Sequence, residues 1–130
     1  MKKLNTDVVT RDKMIFGSYD KSKYSGGIRH FENLSLETLK RLLEKNFADR
    51  AEKQNWAPAI GAIVDFMKTY DGYTAHGYVV DVERGDYRVS LEGVYKDRAA
   101  DSEEELDEFH LIFGNADDFS DSGQMYCWFD

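Results

Sequence analysis

The sequence predicts an α+β fold, in which two helices pack on one face of an antiparallel, mostly meander sheet. Apolar residues recur at helical spacing between residues 35 and 70, and from residue 73 the spacing changes to the period of two that is typical of half-buried strands. The links between the later strand segments are short, which favours antiparallel neighbours. Because the helices precede these strands, most of the sheet is expected to come from the C-terminal half.

The composition is that of a folded protein of one domain. The chain has 130 residues, of which 42% are hydrophobic and 14% aromatic, too many for a disordered chain even though 32% are charged. The sequence contains neither an internal repeat nor a linker between two units. We therefore expect residues 1–130 to form a single domain.

The N-terminal segment has weaker signals. Apolar runs at residues 8–10 and 14–16 flank a polar interruption and predict one bent strand or a small hairpin. Residues 17–27 are rich in glycine, serine and lysine, which predicts a loop.

Two helices follow, at about residues 35–46 and 58–70. Ser35 is placed to cap the first. Pro58 suits the first turn of the second, because its missing N–H has no intrahelical partner there, and Gly72 favours a stop after it. The predicted core of the protein contains Leu39, Leu42, Leu43, Ile63, Val64, Met67, Val89 and Leu91.

Four later segments predict strands. Residues 73–82 and 87–95 predict a hairpin with its turn at 83–86, and residues 109–113 and 124–129 predict two more strands. In the second segment an alternating pattern places Leu91 and Tyr95 on the apolar side and Glu92 and Lys96 on the polar side. The acidic run at 101–108 alternatively opens a short helix, because acids favour a helix N-terminus.

Charge is divided unevenly along the chain. Residues 1–60 contain 12 Lys and Arg and 8 Asp and Glu, a net of +4, whereas residues 61–130 contain 5 and 17, a net of −12. A field of this kind steers association with partners. Phosphate binding needs a basic footprint, so the C-terminal half is not expected to bind nucleic acid directly.

Several classes of protein and site are not indicated. No apolar run approaches the roughly 20 residues that span a bilayer, and residues 1–7 lack the apolar stretch of a secretory signal. The single cysteine, Cys127, cannot form an intramolecular disulfide and is expected to pack in the core. We therefore expect a cytoplasmic protein that does not associate with membranes.

The sequence also lacks the residue spacing of a metal site and the motifs of cofactor binding. The histidines do not have the spacing of a zinc site, and no phosphate-binding glycine motif occurs. The acidic segment at 115–121 matches a calcium loop only in part, because Phe119 occupies the third ligand position. We expect neither a cofactor nor a specific metal site.

The first functional hypothesis is a non-enzymatic interaction module that presents an acidic, aromatic surface to a basic protein. Inhibitors, immunity proteins and nucleic-acid mimics act in this way. Tyr126 and Trp128 are the candidate anchors, because aromatic residues dominate interface hot spots. Asp117, Asp118 and Asp121 are the candidate charges that guide the encounter.

The second hypothesis is a small enzyme or ligand-binding domain, with a pocket between the second helix and the sheet at His76, Tyr78 and Arg88. A histidine titrates near neutrality and an arginine suits an anionic group. No catalytic residue can be named, since a general base needs a partner that the sequence does not locate. A third hypothesis is self-association through an exposed edge strand at 124–129.

Overall fold

The structure, a computed structural model, describes residues 3–130. Met1 and Lys2, which begin the predicted N-terminal segment, lie outside the described residues. In chain order the elements are α1 (Val8–Phe16), a 3-10 turn (Lys21–Lys23), β1 (Ile28–Leu34), α2 (Leu36–Glu44), α3 (Ile60–Thr69), β2 (Thr74–Val80), β3 (Val89–Lys96), α4 (Glu103–Phe113), β4 (Asp118–Ser120) and β5 (Met125–Trp128).

The strands form one antiparallel sheet in the order β1-β2-β3-β5-β4. The first three strands are a meander, and the chain then passes through α4 and β4 before β5 returns beside β3. Four of the five strands follow residue 70. The predicted α+β class is therefore confirmed, including the origin of most of the sheet in the C-terminal half.

One apolar core joins the helices to one face of the sheet. The ring of Phe66 on α3 lies 6.0 Å and 5.1 Å from those of Phe109 and Phe113 on α4. These rings share a buried cluster with Val79 and Leu91 of the central strands. The opposite face of the sheet, called the open face below, carries the alternate residues of each strand. Gln54 covers Tyr78 and Ser90 on this face, and the part near His76 and Tyr126 is open.

The two predicted helices are confirmed with shorter bounds, as α2 and α3. Ser35 caps α2, because its hydroxyl accepts a hydrogen bond of 3.1 Å from the backbone N–H of Thr38. Of the eight predicted core residues, seven are buried. Leu43 is the exception, since it lies at the border of the core and is only half-buried.

The predicted strand or hairpin at residues 8–10 and 14–16 is wrong, because this segment is a single helix, α1. Asp7 caps it by accepting a hydrogen bond of 3.2 Å from the N–H of Thr10. Two of the three residues in the polar interruption are buried, because Arg11 and Asp12 form an ion pair of 2.9 Å inside the protein. Charged residues thus occupy positions that the pattern assigned to solvent.

The predicted strand at residues 109–113 is also wrong, and the alternative of a helix in the acidic run is correct. Helix α4 begins after Ser102, whose hydroxyl accepts from the N–H of Glu105 at 3.1 Å. Glu105 is buried and accepts hydrogen bonds of 2.6 Å from Lys96 and 2.7 Å from Tyr73. Strands β1 and β4 were not predicted.

A β-bulge changes which side chains face the core. Gly77 pairs with Leu91 and His76 pairs with Gly93, so Glu92 is an extra residue on β3. One extra residue reverses the alternation of every residue after it. Tyr95 consequently faces outward and Lys96 is buried, the opposite of the predicted pattern.

Candidate functional site

The open face of the sheet contains a groove of about 550 Å³, within the range of ligand-binding pockets. Its walls come from β1, β2, β3 and β5, because alternate residues of each strand point away from the core. The polar and aromatic residues that line it include Glu32, His76, Glu92, Tyr95, Tyr126 and Trp128.

His76 is held rigidly at this groove. Its Nε2 lies 2.9 Å from the carbonyl oxygen of Cys127, and its ring stacks on that of Tyr126 with centroids 5.3 Å apart and planes at 21°. A carbonyl oxygen only accepts hydrogen bonds, so Nε2 carries the hydrogen and Nδ1 of the neutral ring keeps its lone pair.

The surroundings of His76 favour its neutral form. Burial lowers the pKa of His76, while the hydrogen bond to Cys127 and the carboxylate of Glu32 act in the opposite direction to a lesser extent. Desolvation penalises the charged imidazolium. His76 is therefore a neutral hydrogen-bonding side chain at neutral pH.

Glu92 is the most enclosed charged group of the groove, and only 8% of it is exposed. Burial raises the pKa of Glu92. The electrostatic interaction with His30 and the hydrogen bonds of Trp128 and His30 oppose this increase. The nearest basic side-chain nitrogen is Nδ1 of the exposed His30, 3.6 Å from Oε1. Within residues 3–130, no lysine or arginine nitrogen lies within 4 Å of this carboxylate.

Two glycines make the close packing of the groove floor possible. A Cβ on Gly93 would collide with the carbonyl oxygen of Cys127 and lie 2.7 Å from Nε2 of His76. A Cβ on Gly77 would collide with the carbonyl oxygen of Ser90. Glycine at these positions lets the strands and the imidazole approach each other closely.

Three of the five predicted partner-binding residues lie on this face. Tyr126 and Trp128 are half-buried in β5, and Asp118 pairs with Trp128 from the neighbouring strand β4, so all three side chains point the same way. Burial raises the pKa of Tyr126, and the carboxylate of Asp118 adds to the effect. The structure therefore brings the predicted aromatic anchors together with one of the predicted acids.

The other two predicted acids make contacts within the protein. Asp117 accepts a hydrogen bond of 2.8 Å from the backbone N–H of Asp130. Asp121 lies 2.5 Å from Nε2 of His110 on α4, on the side of the helices. Neither lines the groove.

The pocket that was predicted between the second helix and the sheet is not formed there. The space between α3 and the sheet is filled by buried residues such as Ile63, Val64 and Val79. His76 and Tyr78 lie instead on the open face, because they alternate with the core residues of β2.

Of the three residues assigned to that pocket, only His76 lines the groove. The hydroxyl of Tyr78 donates to Gln54 at 2.6 Å and accepts from Arg88 at 2.7 Å. Arg88 is also 3.0 Å from the carboxylate of Asp86. The guanidinium is thus occupied by groups of the protein rather than aimed at an empty anion site.

The predicted edge strand is wrong as well. Strand β5 lies between β3 and β4, and the edges of the sheet are β1 and β4. The hypothesis of self-association through residues 124–129 therefore loses its structural basis.

Three residues that line the groove were not predicted from the sequence: Glu32, Glu92 and Tyr95. A signal for Glu92 was present, because a glycine directly after it interrupts an otherwise regular strand pattern, and glycine inside a strand often marks a bulge. Glu32 lies on β1, which has too few apolar residues to be recognised as a strand.

A second concave surface, of about 830 Å³, lies between α3 and α4. Its rim includes Asp65, Glu104 and Asp107, and Leu111 beside it is 79% exposed. Glu104 and Asp107 are exposed to solvent, and the surface contains no histidine. It adds negative charge to the protein without enclosing a reactive or unpaired group.

Cys127 is buried beneath the groove, as predicted. Burial raises the pKa of its thiol to about 12, which removes the thiolate needed for nucleophilic chemistry. Over residues 3–130, no group of three or more His, Cys, Asp or Glu side chains is arranged to hold a metal ion.

Neither a protein-family model, nor a curated protein, nor a solved structure matches the chain. None of the helices in the described part of the chain has the length and apolar character that crossing a membrane requires.

Proposed function

We propose that the protein is a non-enzymatic interaction module whose open sheet face receives a basic segment of a partner protein. The observation that carries this proposal is the meeting of carboxylates and aromatic rings on one face. Glu32, Glu92 and Asp118 supply negative charge beside the rings of Tyr126 and Trp128. Carboxylates and aromatic faces both attract Lys and Arg side chains.

The distribution of charge supports the same partner. The net charge of −12 in residues 61–130 belongs to the part of the chain that supplies four of the five strands and α4. A negative potential around a binding face raises the rate of encounter with a basic protein. An inhibitor, an immunity protein or a nucleic-acid mimic would use such a face to cover a basic surface of its target.

The aromatic residues provide the short-range part of binding. Tyr126 and Trp128 are half-buried, and Tyr126 is fixed by stacking on His76. Fixed aromatic side chains contribute contact area with little loss of entropy on binding. The charges would act mainly on the association rate and the rings mainly on the dissociation rate.

The experiment has two stages. The immobilised protein is exposed to native lysate at low and at high salt, and basic proteins retained only at low salt are identified and purified. Surface plasmon resonance then compares the wild type with Trp128→Ala and, as a matched control, with Trp56→Ala, because Trp56 is 87% exposed and does not line the groove.

We expect Trp128→Ala to raise the dissociation rate at least tenfold, a loss of about 1.4 kcal/mol, and Trp56→Ala to leave it unchanged. Asp118→Asn is expected to slow association at low salt more than Asp121→Asn does, since Asp121 faces α4. A partner that binds Trp128→Ala as well as the wild type would overturn the proposal for this face.

A second candidate function, a small-ligand or acid–base site, is supported by the opposite pKa changes in the same groove. The pKa of His76 is lowered and that of Glu92 is raised, in each case chiefly by burial. Paired changes of this kind are typical of acid–base sites. Thermal-shift screening of small polar compounds, with His76→Gln as the comparison, tests it.

A further inference from the structure

We infer that the groove binds the side chain of one arginine of the partner, with Glu92 as its counter-ion. The inference deepens the proposed function and rests on it, because it names the group that anchors the basic segment.

The buried carboxylates of this protein differ in their partners. Asp12 is 2.9 Å from Arg11, and Glu105 is 2.6 Å from Lys96, so these buried acids are neutralised by cations of the same chain. Glu92 is also buried, with 8% of it exposed, yet in residues 3–130 it has no lysine or arginine partner within 4 Å. A buried carboxylate without a cation is unfavourable, and an incoming cation relieves that cost.

Access from solvent distinguishes Glu92 from another buried acid, Asp81. Asp81 is also buried, but its carboxylate accepts hydrogen bonds from the hydroxyl of Tyr19 and the backbone N–H of Val82. Glu92 instead lines the groove, and it is placed there by the bulge of β3. The groove therefore leads from solvent to a carboxylate that lacks a strong partner.

The aromatic walls of the groove favour arginine over lysine. The walls beside Glu92 are the rings of Tyr95, Tyr126 and Trp128. A planar guanidinium stacks on such rings while donating two hydrogen bonds to one carboxylate, whereas an ammonium group is a compact, strongly hydrated charge. The exposed Glu32 at the rim adds charge that attracts the cation without specifying its shape.

The test uses Nα-acetyl-arginine amide as the probe, because its blocked ends imitate a residue within a chain. Nα-acetyl-citrulline amide has nearly the same shape without the charge, and Nα-acetyl-lysine amide has the charge without the planar group. Binding to the full chain is followed by the fluorescence of Trp128 in a Trp56→Phe background and by the NMR signal of the Trp128 indole N–H.

We expect saturable binding of the arginine probe, at least fivefold weaker binding of the lysine probe and none of the citrulline probe. Glu92→Gln should weaken binding at least tenfold, while Glu37→Gln, an exposed carboxylate on α2, should leave it unchanged. If Glu92→Gln does not fold, the wild type supplies the same test, since acidification that protonates Glu92 should release the probe.

Equal binding of the citrulline probe, no binding of the arginine probe, or binding that is unaffected by Glu92→Gln and by acidification would overturn the inference. Tighter binding of free arginine than of the blocked probe would also overturn it, by showing a site for the amino acid itself. Retention of a basic partner that depends on Trp128 but not on Glu92 would overturn the arginine anchor and leave the interaction module standing. Binding of the arginine probe without any retained basic partner would leave the arginine site standing and overturn the interaction module.

Discussion

The imidazole of His76 on β2 donates a hydrogen bond of 2.9 Å to the carbonyl oxygen of Cys127 on β5, across the strand that lies between them. Gly93 is the residue of β3 that pairs with His76, and a Cβ at this position would lie 2.7 Å from the imidazole Nε2. The bond therefore depends on the absence of a side chain at Gly93. It connects three strands at the floor of the groove.

Replacing Gly93 with alanine tests this arrangement. The added methyl group would collide with the carbonyl oxygen of Cys127. This oxygen belongs to the backbone and cannot rotate away as a side chain could. Overpacking of this kind costs about 1–3 kcal/mol, and here we expect the upper end or more. Chemical denaturation measures the loss, and Gly85→Ala is the control because the space around Gly85 is open. A loss below about 0.5 kcal/mol, the usual range of surface substitutions, would contradict the packing at this position.

Adjacent leucines of α2 provide the second prediction. Leu42 is completely buried, whereas Leu43 is half-buried at the border of the core. Leu42→Ala should lower the free energy of unfolding by about 2–5 kcal/mol, because it leaves a cavity, and Leu43→Ala should lower it by less than half as much. The two substitutions share the same helix and the same change of propensity, so their difference isolates burial. Equal losses would mean that α2 is rotated from the described orientation.

Helices α2 and α3 could be predicted because their signals are local: an apolar stripe, a capping serine and a terminal glycine. Helices α1 and α4 were misassigned because charged residues occupy buried positions in them. Arg11 donates to the carbonyl of Val80, and Glu105 pairs with Lys96. These partners are supplied by β2 and β3, and no periodicity within either helix reveals them.

The groove could be predicted only in part, for a related reason. Tyr126 and Trp128 were identified from composition, and His76 from its chemistry. Glu92 was assigned to an ordinary polar face because strict alternation takes no account of a bulge. The bulge changes which of Tyr95 and Lys96 faces outward. Gly93 is its only signal in the sequence, and the pairing of β2 with β3 establishes it.

The third prediction concerns acid sensitivity. The pKa of His76 lies below its usual value of 6.5 in the folded protein, so the unfolded chain binds a proton there more readily. The stability that His76 contributes is thus complete above about pH 6.5 and is lost as the pH falls through the lowered pKa. Urea denaturation between pH 7.5 and 5 should show a weaker dependence on pH for His76→Gln than for the wild type. His110 does not line the groove, so His110→Gln should retain the wild-type contribution of His76. An unchanged slope in His76→Gln would contradict the burial of its ring.

The last prediction separates the effect of Glu92 on the stability of the fold from its role in binding. The pKa of Glu92 is raised above its usual value of 4.5, so the folded protein holds this proton more firmly than the unfolded chain does. The favourable contribution is present below about pH 4.5 and is lost as the pH rises through the raised pKa. Ionisation of this poorly paired carboxylate therefore costs the folded state stability, and at pH 7 Glu92→Gln should be more stable than the wild type by on the order of 1 kcal/mol.

Denaturant unfolding at pH 7 and at pH 4 decides this, since the advantage of Glu92→Gln should disappear at the lower pH. A variant that is less stable than the wild type at both values would show that the carboxylate supports the fold through its contacts with His30 and Trp128. A variant that is more stable but binds the arginine probe more weakly would show that the carboxylate destabilises the fold and is needed for binding. A bound cation would then restore the lost stability, because it binds the folded state alone.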